Sequence, residues 1–376
     1  MSRSGTQLRN PTLETKTRVT GLARRTAAVA VAVALAAAVG ALILSVVGKN
    51  PADAFVGLYD GAFGGAAETK ATLTQTTPLI WAALSFVVAF RSGIFNAGGQ
   101  GQVVIGAFLA AVVGSSGAGD LPGPLAVALV VLAGAVGGAL WSLPPILFKV
   151  WWGTNEILTS LMLSYVAVLL NDYLVQGPFR AASVQPGANA QTESLKPNAH
   201  FPVILPDSQV TFLLPVGVLL AVLVWWAFRR TTLGYELGLH GHSPLAARSA
   251  GIRTTRVMII GMLGSGVLAG VAGAAIVGGV FQAGISPFPP DVGFNGILAA
   301  LLVGTSPILT PLAALLFGAL SQGGLGLQIF TGVSQYIALV LTATLILFIA
   351  PRSMPQTWAK IRRRLPGSGP RGGPDD

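Results

Sequence analysis

Residues 124–148 run without a single charged side chain. At about 1.5 Å of rise per residue, a helix of that length exceeds the ~30 Å of hydrocarbon in a bilayer. The chain repeats the device. Apolar stretches lie at 27–47, 76–90, 102–114, 156–176, 210–228 and 257–280, with shorter pieces at 293–304 and 306–322 and a last run at 333–350. Hydrocarbon offers no water to backbone amides, so such segments must satisfy themselves internally. The expectation is an all-α, polytopic membrane helix bundle of about 8–10 transmembrane helices. Composition agrees: 52% of residues are hydrophobic, only 10% are charged, and mean hydropathy is +0.70. Soluble domains carry about 25% charged residues.

The net charge of +10 could suggest nucleic acid, but its distribution follows membrane topology instead. With both termini cytoplasmic and ten crossings, 19 of the 23 basic residues fall on the inner side. Only Lys49, Lys70, Arg180 and Lys196 lie outside, a strong positive-inside pattern. This divides the chain into a basic cytoplasmic tail (1–26), a membrane domain (27–350) and a basic, disordered cytoplasmic tail (351–376). The first apolar run is too long for the core of a cleaved signal peptide. The membrane domain carries an outer loop at 177–209 and an inner loop at 229–256.

Several chemistries are excluded. The chain has no cysteine, hence no disulfide, thiolate metal site or cysteine nucleophile. His200, His240 and His242 are too few and too badly spaced for a metal centre. No G-x-x-x-x-G-K-[ST], H-E-x-x-H or G-x-S-x-G occurs. No catalytic, cofactor or metal-binding residue is expected, and any ATP-derived energy must come from another polypeptide.

Polar residues inside the apolar runs are the candidates for function. From Asn155 to Asp172, Glu156, Ser160, Ser164 and Asn171 recur at helical spacing on one side of an otherwise apolar helix. Ionisable groups in hydrocarbon usually face a cavity or a partner helix. Ser and Asn also serve simply as interhelical hydrogen-bonding groups. Both readings stand. At 91–102, Asn96, Gln100 and Gln102 are crowded among Gly93, Gly98, Gly99 and Gly101, which predicts a non-helical lead into the next helix. Amides donate and accept, which suits a neutral, multiply bonding ligand such as a ribose or nucleobase. The same pattern also fits a tight turn whose amides satisfy its own backbone.

Within the inner loop, Ser243 is placed to cap a short helix beginning at Pro244, and Gly251 to end it. So short a helix needs support from the membrane domain or a docked partner. At 293–322, Gly304-Thr305-Ser306-Pro307 separates two short apolar pieces, which fits either re-entrant, discontinuous helices or a tilted hairpin outside the bundle. Gly134/Gly138 and Gly266/Gly270 are G-x-x-x-G pairs, a helix-packing device. They fall in two similar stretches, 132–140 and 268–276. Trp81, Trp141, Trp151, Trp152, Trp225 and Trp226 are expected at span ends, as belt residues are.

Three segments carry a family resemblance. The stretch L-G-Y-E-L-G-L-H-G-H-S-P-L-A-A-R-S-A-G-I resembles the cytoplasmic coupling loop of ATP-binding cassette importer permeases of the ribose and branched-chain amino acid type. R-S-G-I-F-N-A-G-G-Q-G-Q at 91–102 and G-T-N-E-I-L-T-S-L-M-L-S-Y at 153–165 are similar to signatures of its nucleoside subgroup, which works with a basic-membrane-protein type of binding lipoprotein. The likeness runs from about residue 30 to 350. Gln100 stands where the subgroup commonly has Glu, and Ser164 where it commonly has Asn.

The resemblance implies a permease subunit in a bacterial inner (plasma) membrane, moving a nucleoside or related small polar solute. Its implied partners are a cytoplasmic ATPase, a second permease (copy or paralogue), an extracytoplasmic solute-binding lipoprotein and the lipid bilayer, with no nucleic acid. Asn96, Gln100, Gln102, Asn155 and Glu156 would line the substrate pathway. Gly238, Pro244, Ala247, Arg248 and Gly251 would form the ATPase coupling loop. Simple-sugar or branched-chain amino acid transport within the same family is the alternative. An ion-coupled secondary transporter with Glu156 as coupling acid is another, and a membrane enzyme is a third.

Overall fold

The computed structural model describes residues 34–46 apart from 36, 48–183, 188–289 and 291–332, together with 334, 337, 340 and 344. The expected tails and most of the span at 333–350 lie outside the described residues. The chain divides into two compact units, residues 55–338 and a unit made of 1–54 with 339–376. In the second unit, the apolar helix α1 (described over Ala37–Val46) closes on a turn at Gly48; α2 (Pro51–Phe63) follows and lies, from Phe55 on, in the larger unit. No apolar run announces α2. Its start is nonetheless written in the sequence: Asn50 Oδ1 accepts the Ala52 amide at 3.0 Å, with Pro51 at the first helical position and Asp53 in the first turn.

Among the described residues of the larger unit, six helices are long and apolar enough to cross a membrane. They are α3 (Ala66–Arg91), α5 (Gly123–Trp152), α6 (Glu156–Gln176), α7 (Leu213–Arg230), α10 (Thr254–Ile276, continued by a π-helical turn at Val277–Phe281) and α12 (Thr310–Thr331). Two apolar helices are shorter, α4 (Gly99–Ser115) and α11 (Val292–Leu302). The inner loop folds as α8 (Thr232–His242) and α9 (Pro244–Ser249). The protein is thus an all-α, multi-pass membrane helix bundle.

The hydropathy boundaries shift where polar residues are helical. The span expected at 76–90 begins ten residues earlier, because a threonine-rich stretch bonds to its own backbone. The hydroxyls of Thr69, Thr74, Thr76 and Thr77 each donate to the carbonyl four residues back, at 2.7–3.0 Å. A hydroxyl satisfied this way loses its claim on water, so the helix continues where a hydropathy scale stops. Similarly, α12 runs on to Thr331 through Gly323 and Gly326, which let α2 approach closely. A Cβ at Gly326 would lie 2.2 Å from Gly61 Cα.

The centre of the unit is α10, packed on α3, α4 and α5, with α4 also on α5, α11 and α12 against α3, α7 on α3 and α6 on α4. The two G-x-x-x-G pairs form one contact. A Cβ at Gly270 would sit 2.0 Å from the Gly134 carbonyl oxygen, and one at Gly138 2.1 Å from that of Gly266. Backbones this close gain dispersion and polar contact that no larger residue permits. α3 and α10 are largely buried. α6 and α7 expose rows of aliphatic and aromatic side chains, including Leu158, Met162, Leu169, Leu219 and Leu223, as a bilayer-spanning surface does.

The outer loop is built onto the bundle. Ala190–Gln191 pairs antiparallel with Ile285–Ser286, and Leu195, Ala199 and Phe201 enter the main core. Trp81 departs from the belt expectation: it is buried in mid-helix, its Nε1–H donating to the Leu213 carbonyl at 3.0 Å. Trp151 and Trp152 are exposed beside Lys149, as expected of belt residues.

Basic residues assigned to the inner side gather at one end of the larger unit. Arg91 reaches the Thr305 carbonyl and lies over the Phe228 ring, Lys149 pairs with Glu156, and α8 packs against the α3 terminus. At the opposite end Lys70 donates to the Pro206 carbonyl and Lys196 pairs with Asp120.

Candidate functional site

The glycine-rich segment 92–98 turns back into the bundle. α3 ends at Arg91, Gly93 adopts φ +81°, and the chain runs back along α10. Ser92 fits a notch on α10, where a Cβ at Gly261 would lie 2.7 Å from the Ser92 Cβ. Asn96 meets Ser265 on the same helix, four residues on. Ser265 also bonds Ser85 of α3 at 2.9 Å, and Ser85 lies six residues before the end of α3, about 9 Å along the axis. α4 therefore starts inside the bundle, and the expected non-helical lead into it is present up to Gly98.

Asn96 and Gln102 form a reciprocal amide pair. Asn96 Nδ2 donates to Gln102 Oε1 at 2.9 Å and to Ser265 Oγ at 2.8 Å, and Gln102 Nε2 donates to Asn96 Oδ1 at 3.3 Å. Asn96 Oδ1 also accepts the Gly98 amide at 2.9 Å, one of the otherwise orphan donors at the start of α4. Gln100 points elsewhere, accepting the Gly293 amide at 2.7 Å.

That bond joins two helix N-termini. α11 begins at Val292 after a loop that descends from the outer-loop contacts, and it ends near Arg91, whose Nε donates to the Thr305 carbonyl. Its eleven residues cover about 16 Å, half of a bilayer. The pieces at 293–322 are thus not an external hairpin. α11 is a half-length helix packed on α3 and α4, and α12 a full-length one. A Cβ at Gly293 would lie 2.3 Å from the Gln100 amide nitrogen, so the starts of α4 and α11 abut. Their partial positive charges converge where Gln100 Oε1 and Asn96 Oδ1 supply acceptor density.

The polar stripe of α6 lies against this region. Ser160, Ser164 and Asn171 are buried on one face with Ala167 and Val175. Ser164 Oγ accepts the Gly101 amide at 3.3 Å, a Cβ at Gly98 would lie 3.0 Å from the Ser160 Cβ, and Asn171 donates to the Ile285 carbonyl. Asn155 and Glu156 sit at the end of the stripe. Asn155 caps α6 by accepting the Ile157 amide at 2.9 Å and is exposed. Glu156 pairs with Lys149 at 2.5 Å, both half-buried.

The five pathway candidates therefore fall in two places. Asn96, Gln100 and Gln102 are 1%, 4% and 1% exposed inside the bundle, and the other two are at its end. The three amides reach a solute only if the surrounding segments move. Ser85 and Ser265 belong to the same network. The only sequence signal for them is a serine among apolar neighbours, Ser85 within A-A-L-S-F-V-V and Ser265 within G-S-G.

In the inner loop, Ser243 Oγ accepts the Ala246 amide at 3.2 Å and Pro244 occupies the first helical position, as expected. The end at Gly251, φ +78°, carries the two bonds of a Schellman turn, Gly251 N to Arg248 O and Ile252 N to Ala247 O. Ala247 is buried as the anchor of α9, while Pro244, Leu245 and Arg248 are exposed and Gly238 has open space beside it. Leu245 on α9, at 75% exposure, and Tyr235 on α8, at 63%, are large exposed side chains that the sequence reading passed over. Among the described residues, no group of three or more His, Asp or Glu side chains could hold a metal.

Discontinuous helices whose N-termini meet polar groups inside a bundle recur at the binding sites of many membrane transporters. Over residues 69–350 the chain matches the family described as "Branched-chain amino acid transport system / permease component", and it belongs to that family. It is 33% identical over 317 residues to the nucleoside ABC transporter permease protein NupB of Lactococcus lactis, covering 83% of this chain and 86% of that protein. With the guanosine ABC transporter permease protein NupP of Bacillus subtilis it shares 32% over 321 residues, 85% and 91% of the two chains. The glucose ABC transporter permease protein TsgB13 of Haloferax volcanii is 30% identical over 328 residues, 84% of each. No solved structure matches the chain.

Proposed function

We propose that this chain is the permease subunit of an ATP-binding cassette importer for nucleosides, seated in a bacterial plasma membrane with both termini cytoplasmic. It would work with a cytoplasmic ATPase, a second permease (copy or paralogue) and an extracytoplasmic solute-binding lipoprotein. The similarity to NupB and NupP across most of each chain carries the solute class. The convergence of three amides with two helix starts suits it chemically. Amide donors and acceptors match ribose hydroxyls and base edges. The similarity to TsgB13 keeps simple sugars as the alternative.

The test is uptake by the reconstituted complex, fed by its lipoprotein, of a labelled purine nucleoside in competition with unlabelled guanosine, cytidine, ribose, glucose and leucine. Nucleosides alone are expected to compete. Competition by glucose or leucine with no effect of guanosine would transfer the assignment to another branch of the family.

Asn96, Gln100, Gln102, Asn155 and Glu156 are assigned to the pathway, with the first three reached only during turnover. Because the chain lacks cysteine, single cysteines at these positions report access directly. Positions 155 and 156 should react with polar thiol reagents at rest, and 96, 100 and 102 only while ATP is consumed. Protection of all five in both states would return them to a packing role.

A further inference from the structure

We propose that His240 is a positioning residue of transport, the latch through which the inner helices α8 and α9 move the segment that presents Asn96 and Gln102. The inference rests on the importer reading above, in which a partner docks on α8–α9. The observations that carry it are geometric. His240 is 4% exposed although it belongs to a loop helix, and its Nδ1 lies 2.7 Å from the Ser92 carbonyl oxygen. A carbonyl only accepts, so Nδ1 carries the proton and donates. Around that bond the two backbones touch. A Cβ at Gly241 would lie 2.1 Å from the Arg91 carbonyl oxygen, and one at Gly93 3.0 Å from Gly241 Cα.

Beyond the latch the contacts continue through buried, closely packed groups. Ser92, fully buried, sits in the Gly261 notch of α10, and Ile94 packs with Ala89, Ile146 and Met262. Two residues further, Asn96 bonds Ser265, Gln102 and the start of α4. A ring, glycine backbones and short polar groups in close packing transmit a displacement rather than absorb it. A shift of α8 thus drags residues 91–93, and with them the amides whose burial closes the candidate site. Physical adjacency becomes coupling only when a perturbation at one end is felt at the other, so the experiment perturbs the latch and reads the far end.

Two readouts on the full-length chain separate this proposal from the importer reading. In nanodiscs without any partner, His240→Ala should speed amide hydrogen exchange in 94–102 about five- to tenfold, the scale of one lost buried hydrogen bond. His240→Asn, whose amide N–H occupies the place of Nδ1–H, should restore protection. In the complete complex, His240→Ala should raise the ATP hydrolysed per solute taken up, again restored by Asn, with the amount of assembled complex unchanged. Exchange that rises only within 238–243 would overturn the latch. So would uptake and hydrolysis that fall together in proportion to folded protein. If exchange behaves as expected but the unaltered complex shows no ATP-driven uptake, the importer reading fails and the mechanical link stands.

Discussion

At the scale of single residues, the glycines of α5 and α10 show how little separates two kinds of glycine in one helix. Gly270 and Gly264 are both interior to α10, and in water each would weaken the helix by about 0.5–1 kcal/mol relative to alanine. Their surroundings differ. A Cβ at Gly264 would meet only Val88 Cγ1, at an ordinary 3.5 Å, whereas one at Gly270 would strike the backbone of Gly134 and Gly138 at 2.0–2.9 Å. Gly264→Ala is therefore expected to be neutral or stabilising. Gly270→Ala should cost about 1–3 kcal/mol as α5 and α10 are forced apart. Thermal unfolding of the two variants in the same detergent checks this, and equal midpoints would refute the close-packing account. The glycine spacing was legible in the sequence because motif and consequence are local. That one G-x-x-x-G pair is the partner of the other was not, since a sequence does not say which helix a small face meets. The same holds for Ser85 and Ser265, unremarkable alone and joined only by the fold.

At the scale of elements, the sequence was most informative where a helix is specified by its own ends. The span 156–176 was placed to the residue by its apolar run, at a start the structure shows capped by Asn155, and α9 because Ser243, Pro244 and Gly251 punctuate it. It was least informative where tertiary contact decides. α8 has no apolar run, yet it is held by a tight turn at Thr231, whose hydroxyl accepts the Gly234 amide and donates to the Ala227 carbonyl, and by the buried His240. α11 is apolar enough to read as part of a span, and only its packing on α3 and α4 makes it a half-helix. The punctuation of α9 gives a direct prediction. Ser243→Ala removes its cap at a cost of about 0.5–2 kcal/mol, and Gly251→Val forces a β-branched residue to φ +78° with nothing else in the way. Both should speed hydrogen exchange across 244–250 while leaving the spans protected. In the assembled complex, Gly251→Val should leave membrane insertion intact and uncouple hydrolysis from uptake. Normal uptake by that variant in reconstituted vesicles would remove the α8–α9 loop from the coupling role.

At the scale of the whole molecule, the remaining question is what drives transport, and Glu156 is where the alternatives part. An ion-coupled carrier needs an acid that binds and releases its cation or proton in each cycle, usually deep in the membrane. Glu156 is placed otherwise. It opens α6 at the end of the unit where basic residues gather, its side chain 17% exposed and paired with Lys149. An acid held by a lysine near water contributes a structural pair of about 0.2–1 kcal/mol. Glu156→Gln keeps a hydrogen-bonding oxygen for Lys149 and the shape of the turn, so it should lower uptake moderately and leave accumulation in place. Withdrawing ATP should stop uptake outright, and a proton uncoupler at constant ATP should leave it unchanged. In a proton-driven carrier all three results reverse: Glu156→Gln abolishes accumulation, the uncoupler collapses it, and uptake persists without ATP. Running the three arms on one vesicle preparation gives each mechanism a distinct signature, because neither a poorly folded variant nor a leaky membrane produces uptake that is insensitive to the uncoupler yet absent without ATP.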